Sequence, residues 1–146
     1  RLMWNDVVYT PGELKVVAYD ADGRAAQEKT VKTAGKASHI KLTPDRSVLK
    51  ADGEDLCFVN VSLTDKEGNP IPVDSRLIKV KVSGAGSFKA VANGDPTCLE
   101  SFQQPQMHLF SGQLTVLVQS GSRPGTIMVE VSGKGVRKET LMLKTE

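Results

Sequence analysis

The chain has 146 residues, 39% of them hydrophobic and 25% charged, and 19 Lys and Arg against 17 Asp and Glu give a formal net charge of +2. That is enough for one domain with a real core, or one domain plus a fragment. The charges are interspersed: no basic stripe points to nucleic acid, no acidic tail to disorder, and no apolar run to a membrane span.

Leu2 to Lys32 reads as strands around hairpin turns. Leu14, Val16 and Ala18 alternate with Lys15, Val17 and Tyr19, and Asp20-Ala21-Asp22-Gly23 reverses the chain into Arg24 to Val31. Asp20 and Asp22 resemble the start of a calcium loop, but the further oxygen ligands and closing carboxylate are missing. An isolated hairpin is marginal in water. We therefore expect this one to dock on residues 36–146 or to pair with a second copy. The sequence opens at Arg1 within a strand-like pattern, so the expectation is a piece of something longer.

Thr33-Ala34-Gly35-Lys36 is the best boundary, small and flexible residues between two strand patterns. It divides the chain into 1–35 and 36–146. Beyond it, Ile40 and Leu42 alternate with Lys41 and Thr43, Pro44-Asp45 breaks the run, and Val48-Leu49 resumes it, as in a kinked edge strand. The strongest strand is Leu56 to Thr64, with Cys57, Val59, Val61 and Leu63 on one face. A turn at residues 65–70 leads to Ile78, Val80 and Val82, and Gly84-Ala85-Gly86 turns the chain into Ser87 to Ala92 with Phe88 as its anchor.

From Val91 to Gly112 the alternation stops, and small, polar and aromatic residues mix without a period. Long irregular loops inside a compact β-domain are usually functional or interdomain in purpose. Three strands follow, at Gln113 to Gln119, Thr126 to Ser132 and Val136 to Lys144. A bulge near Arg137 or Lys138 reconciles the parity of Val136 with that of Leu141 and Leu143. About seven short strands with turns every 8–12 residues predict an all-β, immunoglobulin-like sandwich.

The chemistry sought in the residues does not assemble into a reaction. Glu100 is the single glutamate of the irregular loop, and one carboxylate is not the pair that glycoside hydrolysis needs. His39 and His108 lack partners at metal-ligand spacing, so no metal and no cofactor is expected. Cys98 and His108 share the loop without an identifiable orienting group. Nothing in the pattern demands a Cys57–Cys98 bridge, and we expect two reduced thiols. Gly133-Lys134-Gly135 matches a phosphate loop in composition only, since a strand and not a helix follows it. Trp4, Phe102 and Phe110 remain as candidate surface aromatics, either a sugar platform or an interdomain cover.

Trp4, Tyr9, Pro11-Gly12, Leu14, Ala18-Tyr19, Asp20, Gly23 and Thr33-Ala34-Gly35 resemble the end of an accessory β-domain of bacterial β-galactosidases in glycoside hydrolase family 2. Leu42-Thr43-Pro44-Asp45-Arg46, Ala51-Asp52-Gly53 and Asn93-Gly94-Asp95-Pro96-Thr97 with Leu99-Glu100-Ser101-Phe102 resemble the immunoglobulin-like domain that follows it. Val61 through Pro72 into Val82-Ser83-Gly84, with Gly125-Thr126-Ile127, is also similar to invasin-type bacterial immunoglobulin repeats. Val8 stands where the family pattern has Pro, and Cys98 where it has Ser.

The resemblance implies an invasin-type immunoglobulin-like β-sandwich at 36–146, preceded at 1–35 by the closing strands of an accessory β-domain. It implies a non-catalytic C-terminal region of a secreted, periplasmic or extracellular hydrolase, whose two catalytic glutamates lie on a barrel upstream. No catalytic residue carries over to this chain. Asn93, Asp95, Thr97, Glu100 and Phe102 are the candidate contact residues, with Asn93 and Asp95 holding the loop and Glu100 left free for a polar partner. The implied partners are the upstream domains of the parent enzyme and an oligosaccharide, with self-association through the N-terminal hairpin beside them. Two alternatives stay open, a carbohydrate- or surface-binding immunoglobulin-like module and an adhesin spacer.

Overall fold

A computed structural model describes residues 3–146 and divides the chain into two compact units, Arg1–Ala34 and Gly35–Glu146. The described residues are all-β, with strands joined by turns and loops. In the first unit, β1 (Glu13–Tyr19) and β2 (Ala25–Lys32) pair antiparallel. The Asp20 carboxylate holds the turn by accepting the N–H groups of Asp22 (3.0 Å) and Arg24 (2.8 Å). Period-2 pleating separates the hairpin's faces. One carries the ion pairs Lys15–Glu28 and Lys32–Glu13, the other Leu14, Val16 and Val31, all three exposed.

The second unit is a sandwich of nine strands: β3 (His39–Pro44), β4 (Val48–Leu49), β5 (Leu56–Thr64), β6 (Leu77–Gly84), β7 (Gly86–Ala92), β8 (Gln106–His108), β9 (Gln113–Ser120), β10 (Gly125–Gly133) and β11 (Glu139–Thr145). One sheet has the order β3-β5-β9-β7 and the other β4-β11-β10-β6-β8. Alternation in the sequence explains the layering. Cys57, Val59, Val61 and Leu63 of β5, Leu114, Val116 and Val118 of β9, and Ile127, Val129 and Val131 of β10 are all buried. Each such side chain contributes roughly 1.5–3 kcal/mol by leaving water. Slipping any of these strands by one residue would turn its whole apolar set to solvent, so the pattern also fixes the register.

Four details differ from the expectations drawn from sequence. The run broken at Pro44-Asp45 is not one kinked edge strand. β3 pairs antiparallel with β5 in one sheet, and β4 pairs in parallel with β11 in the other, so the break carries the chain across the sandwich. In β7 the fully buried residue is Val91, not Phe88. A bulge between Phe88 and Ala90 shifts the register against β9 and leaves Phe88 half-buried. Val136 needs no bulge because it lies in the turn before β11, where its N–H meets Gly133 O. The irregular stretch contains a strand: β8 pairs with β6, and Met107 and Leu109 enter the core. Both cysteines are free, Cys57 buried in β5 and Cys98 in the loop. Burial pushes the Cys57 thiol up to about 11, and its S–H is turned to Arg46 O at 3.3 Å.

Two local constraints fix the end of the sandwich at which the second unit begins. Asp65 is buried and its carboxylate accepts four N–H groups: Gly35 N (2.9 Å), Glu67 N (2.9 Å), Asn69 N (2.9 Å) and Asn69 Nδ2 (3.0 Å). These bonds, the one from Gly35 foremost, hold its pKa down at about 2. Ser111 (φ 51) and Gly112 (φ 74) form a two-residue turn closed by reciprocal bonds between Phe110 and Gln113. Two successive positive φ values are the type I′ pattern. A Cβ at residue 112 would fall 1.8 Å from Ile71 O, so glycine is required there by space as well as by φ.

If β8 is a core strand, Met107→Ala should lower stability by about 2–5 kcal/mol in urea unfolding, while Gln106→Ala should change it by under about 0.5 kcal/mol. A loss as small for Met107 as for Gln106 would remove β8 from the core. The Asp65 carboxylate predicts an acid-sensitive fold. Its folded pKa of about 2 lies below its ordinary value of 3.8. Its contribution is thus complete above 3.8 and lost as pH falls through 2. Asp65→Asn should lower Tm at neutral pH and flatten the decline in Tm across that acid window. An unchanged acid profile would mean the carboxylate does not govern it.

Candidate functional site

The stretch between β7 and β8 carries the chain from one sheet to the other and is held throughout by its own polar groups. Register fixes where it leaves. Ala92 lies opposite Thr115, and Ser62 opposite Gln113, so the loop starts at the end of the sandwich that bears Asp65 and Gly112. Asn93 anchors the start: its Oδ1 accepts Asp95 N–H (3.0 Å) and its Nδ2 donates to His108 O (2.9 Å). Asp95 then caps the next turn, accepting Thr97 N–H (2.8 Å) and Thr97 Oγ1–H (2.7 Å) on one oxygen, while Cys98 N–H reaches Asp95 O (3.2 Å). Asn and Asp do this because a short side chain reaches the backbone two residues on. At the far side Val91 N–H donates to Phe102 O (2.8 Å), and Val80 N–H to Pro105 O (2.8 Å), stitching the loop to both sheets.

Glu100 is not free. One carboxylate oxygen accepts His108 N–H (3.0 Å), and the other meets the ring at Nδ1 (2.9 Å). The backbone N–H first, and then the ring, hold its pKa below the usual carboxylate range. The group the sequence offered as a contact is therefore used to pin the loop against β8. The sequence gives His108 no such role, because the pair spans eight residues of aperiodic chain. Cys98 Sγ lies 3.6 Å from Asn93 Nδ2 and 3.9 Å from Glu100 Oε2, inside the same network.

The side chains that the loop leaves exposed are apolar. Leu99 is 100% exposed and Phe102 is 53% exposed, each between residues whose backbone or side chain is fixed. Thr97, Asp95 and Asn93 are loop-holders. Of the five candidates, Phe102 offers a free apolar surface, and Leu99 joins it. No carboxylate is among the hydrogen-bond partners of Glu100. Among the described residues, no group of three or more His, Cys, Asp or Glu is placed to hold a metal ion. Two shallow open depressions lie elsewhere. The first, about 610 Å³, is lined by Lys36, Val73, Arg76 and Lys134; the second, about 440 Å³, by Ile40, Leu42, Glu139 and Leu141.

Comparison with known proteins shows the family of the chain. The chain is 39% identical over 140 residues to a β-galactosidase of Bacteroides ovatus, spanning 96% of this chain and 16% of the relative. Its structure is similar to that of a glycosyl hydrolase family 2 member from Bacteroides cellulosilyticus. That match has a TM-score of 0.89 and 28% identity, and covers 96% of this chain and 18% of the other. The D00-D0 domain of intimin matches with a TM-score of 0.56 and 15% identity over 94% of this chain and 66% of that one, a likeness of fold alone. The chain thus spans about a sixth of the β-galactosidase it matches. A domain of unknown function (DUF4982) matches residues 1–27, and the glycoside hydrolase family 2 C-terminal domain 5 matches residues 40–142. The latter match takes in most of the sandwich, and the chain belongs to the glycoside hydrolase family 2 C-terminal domain 5 family.

Proposed function

We propose that this chain is a non-catalytic accessory region of a retaining, β-galactosidase-type glycoside hydrolase, periplasmic or extracellular, and that its 93–102 loop is a contact with neighbouring domains or with bound substrate. The activity for which the Bacteroides ovatus relative is named and the 39% identity over nearly the whole chain support the parent assignment. One observation carries the role of the loop: a leucine with its whole side chain in water, on a segment too well bonded to fold it away. Apolar side chains pre-ordered in this manner bind without the entropic cost of first being fixed. Anchors of this sort dominate interfaces when they enter a pocket on the partner.

The hairpin of the first unit fits the same reading. Its charged face, with Lys15–Glu28 and Lys32–Glu13, is suited to water, and its Leu14, Val16 and Val31 face to a cover. That cover is an upstream domain in the parent, or a second copy when the chain stands alone.

Leu99 and Phe102 are the residues to change, because altering Glu100 would also release His108. In the full-length enzyme, Leu99→Ala with Phe102→Ala should lower kcat/KM or weaken domain association. The Tm of the 146-residue chain should stay nearly the same, since exposed side chains usually contribute within about 0.5 kcal/mol. A clear fall in that Tm with wild-type kinetics would make the loop a plug of its own sandwich.

A further inference from the structure

β8 is an edge strand of its sheet, and the 93–102 loop completes that edge. Pro105 O and Leu109 N–H turn to the β6 side, where they meet Val80 N–H and Arg76 O. His108, of the opposite parity, turns its backbone outward to the loop. Its N–H donates to Glu100 Oε2 (3.0 Å), and its C=O accepts from Asn93 Nδ2 (2.9 Å). Two side chains thus stand where a neighbouring strand would, one accepting and one donating.

The Asn93 amide is held at both of its polar atoms, because Oδ1 also accepts Asp95 N–H (3.0 Å). It cannot turn without breaking a bond. The residue after it is glycine, and Asn93-Gly94 is the single Asn-Gly step of the chain. Gly94 is exposed with φ at +77, and a Cβ there would meet nothing within 4 Å. Its nitrogen is therefore shielded neither by a side chain of its own nor by a neighbour. Among the described residues, the Gly94 N–H donates to no acceptor.

We propose that Asn93 is a deamidation site whose rate is set by the bonds that hold the loop. Asparagine is among the chemically labile side chains, and a following glycine leaves its amide carbon open to the main chain. Base takes the proton of Gly94 N, and the nitrogen attacks Asn93 Cγ. The Cγ–Nδ2 bond breaks, and Nδ2 leaves with a proton as ammonia. Water then opens the cyclic imide at one carbonyl or the other, to aspartate or isoaspartate. The ring closes only when the side chain swings Cγ toward Gly94 N, which withdraws Oδ1 from Asp95 N–H and Nδ2 from His108 O. Closed, the loop protects the amide; open, it exposes it. Either product takes the donor from His108 O and sets a carboxylate beside that carbonyl. Isoaspartate also lengthens the main chain by a methylene ahead of the Asp95–Thr97 turn. The step does not reverse, so the loop keeps a record of its opening. The inference concerns the amide and its holders, and does not depend on what Leu99 and Phe102 touch.

The test follows Asn93 in the 146-residue chain by peptide mass spectrometry during incubation in mildly alkaline buffer, folded and in guanidinium chloride. The ratio of the two rates within one chain cancels the intrinsic reactivity of its sequence. Wild type should convert about tenfold more slowly folded than unfolded, since two hydrogen bonds must break first. Glu100→Ala frees His108 N–H, and Asp95→Ala frees the Thr97 turn. Each should bring the ratio several-fold closer to one, and Tm will report that each variant is folded. Leu99→Ala removes no tie and should keep the wild-type ratio. Equal wild-type rates in the folded and unfolded chain overturn the proposal. So does the wild-type ratio in both folded variants, Glu100→Ala and Asp95→Ala, or no conversion of Asn93 in the unfolded chain.

Discussion

The Asp65 carboxylate is the point from which the sandwich is aligned. It sits where β5 ends, and its four N–H donors come from both sides of the strand. Three close the turn at 65–70, and the fourth, from Gly35, holds the first residue of the second unit. With Gly35 held, Ser38 N–H meets Thr64 O (2.9 Å) and His39 falls opposite Thr64, which sets the β3–β5 register. Leu63, two residues before Asp65, is bracketed in turn: its N–H donates to Gly112 O and its C=O accepts from Ile71. A carboxylate suits this position because its two oxygens provide acceptors alone. An asparagine would turn an N–H toward a donor it must accept. Burial makes the distinction costly, since an unmatched polar group inside the fold loses water without replacement.

From that alignment the legible and illegible parts of the fold separate for physical reasons. β5, β9 and β10 could be read from the chain because each is long enough for period 2 to repeat and each buries one face. β8 could not. It has three residues, follows Pro105, and its core residue Met107 sits between Gln106 and His108. The alternation of Met107 and Leu109 with His108 and Phe110 was the available signal, too short to stand above a loop. The crossing at Pro44-Asp45 was visible as a break, but parity says which face a residue takes and not which sheet it joins. The same limit hid Glu100. Its partner is fixed by the return of β8 beneath the loop, a tertiary fact, whereas the turns at Asn93 and Asp95 are local and their chemistry is plain in the sequence.

The position of Cys98 follows from the same network. The thiol lies near Asn93 Nδ2 and Glu100 Oε2 at distances suited to weak sulfur contacts. Stronger bonds around it, Asn93 to His108 O and Glu100 to His108, hold the loop. The segment therefore does not depend on the thiol for its order. Cys57 differs: buried in β5 opposite Val118, it serves as a small core side chain whose thiolate is suppressed by burial.

What the hydrogen bonds of the 93–102 loop provide is order. A loop bonded to both sheets cannot follow a substrate, but it can hold an apolar side chain at one place relative to the core. Leu99 and Phe102 are held in this way because the groups that might have reacted, Glu100 and His108, are bonded to each other. Elsewhere the carboxylates do the same work. Asp52 accepts Glu54 and Asp55 N–H groups, and Asp45 accepts Phe58 N–H, so the opposite end of the sandwich is also closed by acids bound to backbone. At both ends of the sandwich, ionised side chains serve as acceptors for backbone N–H groups.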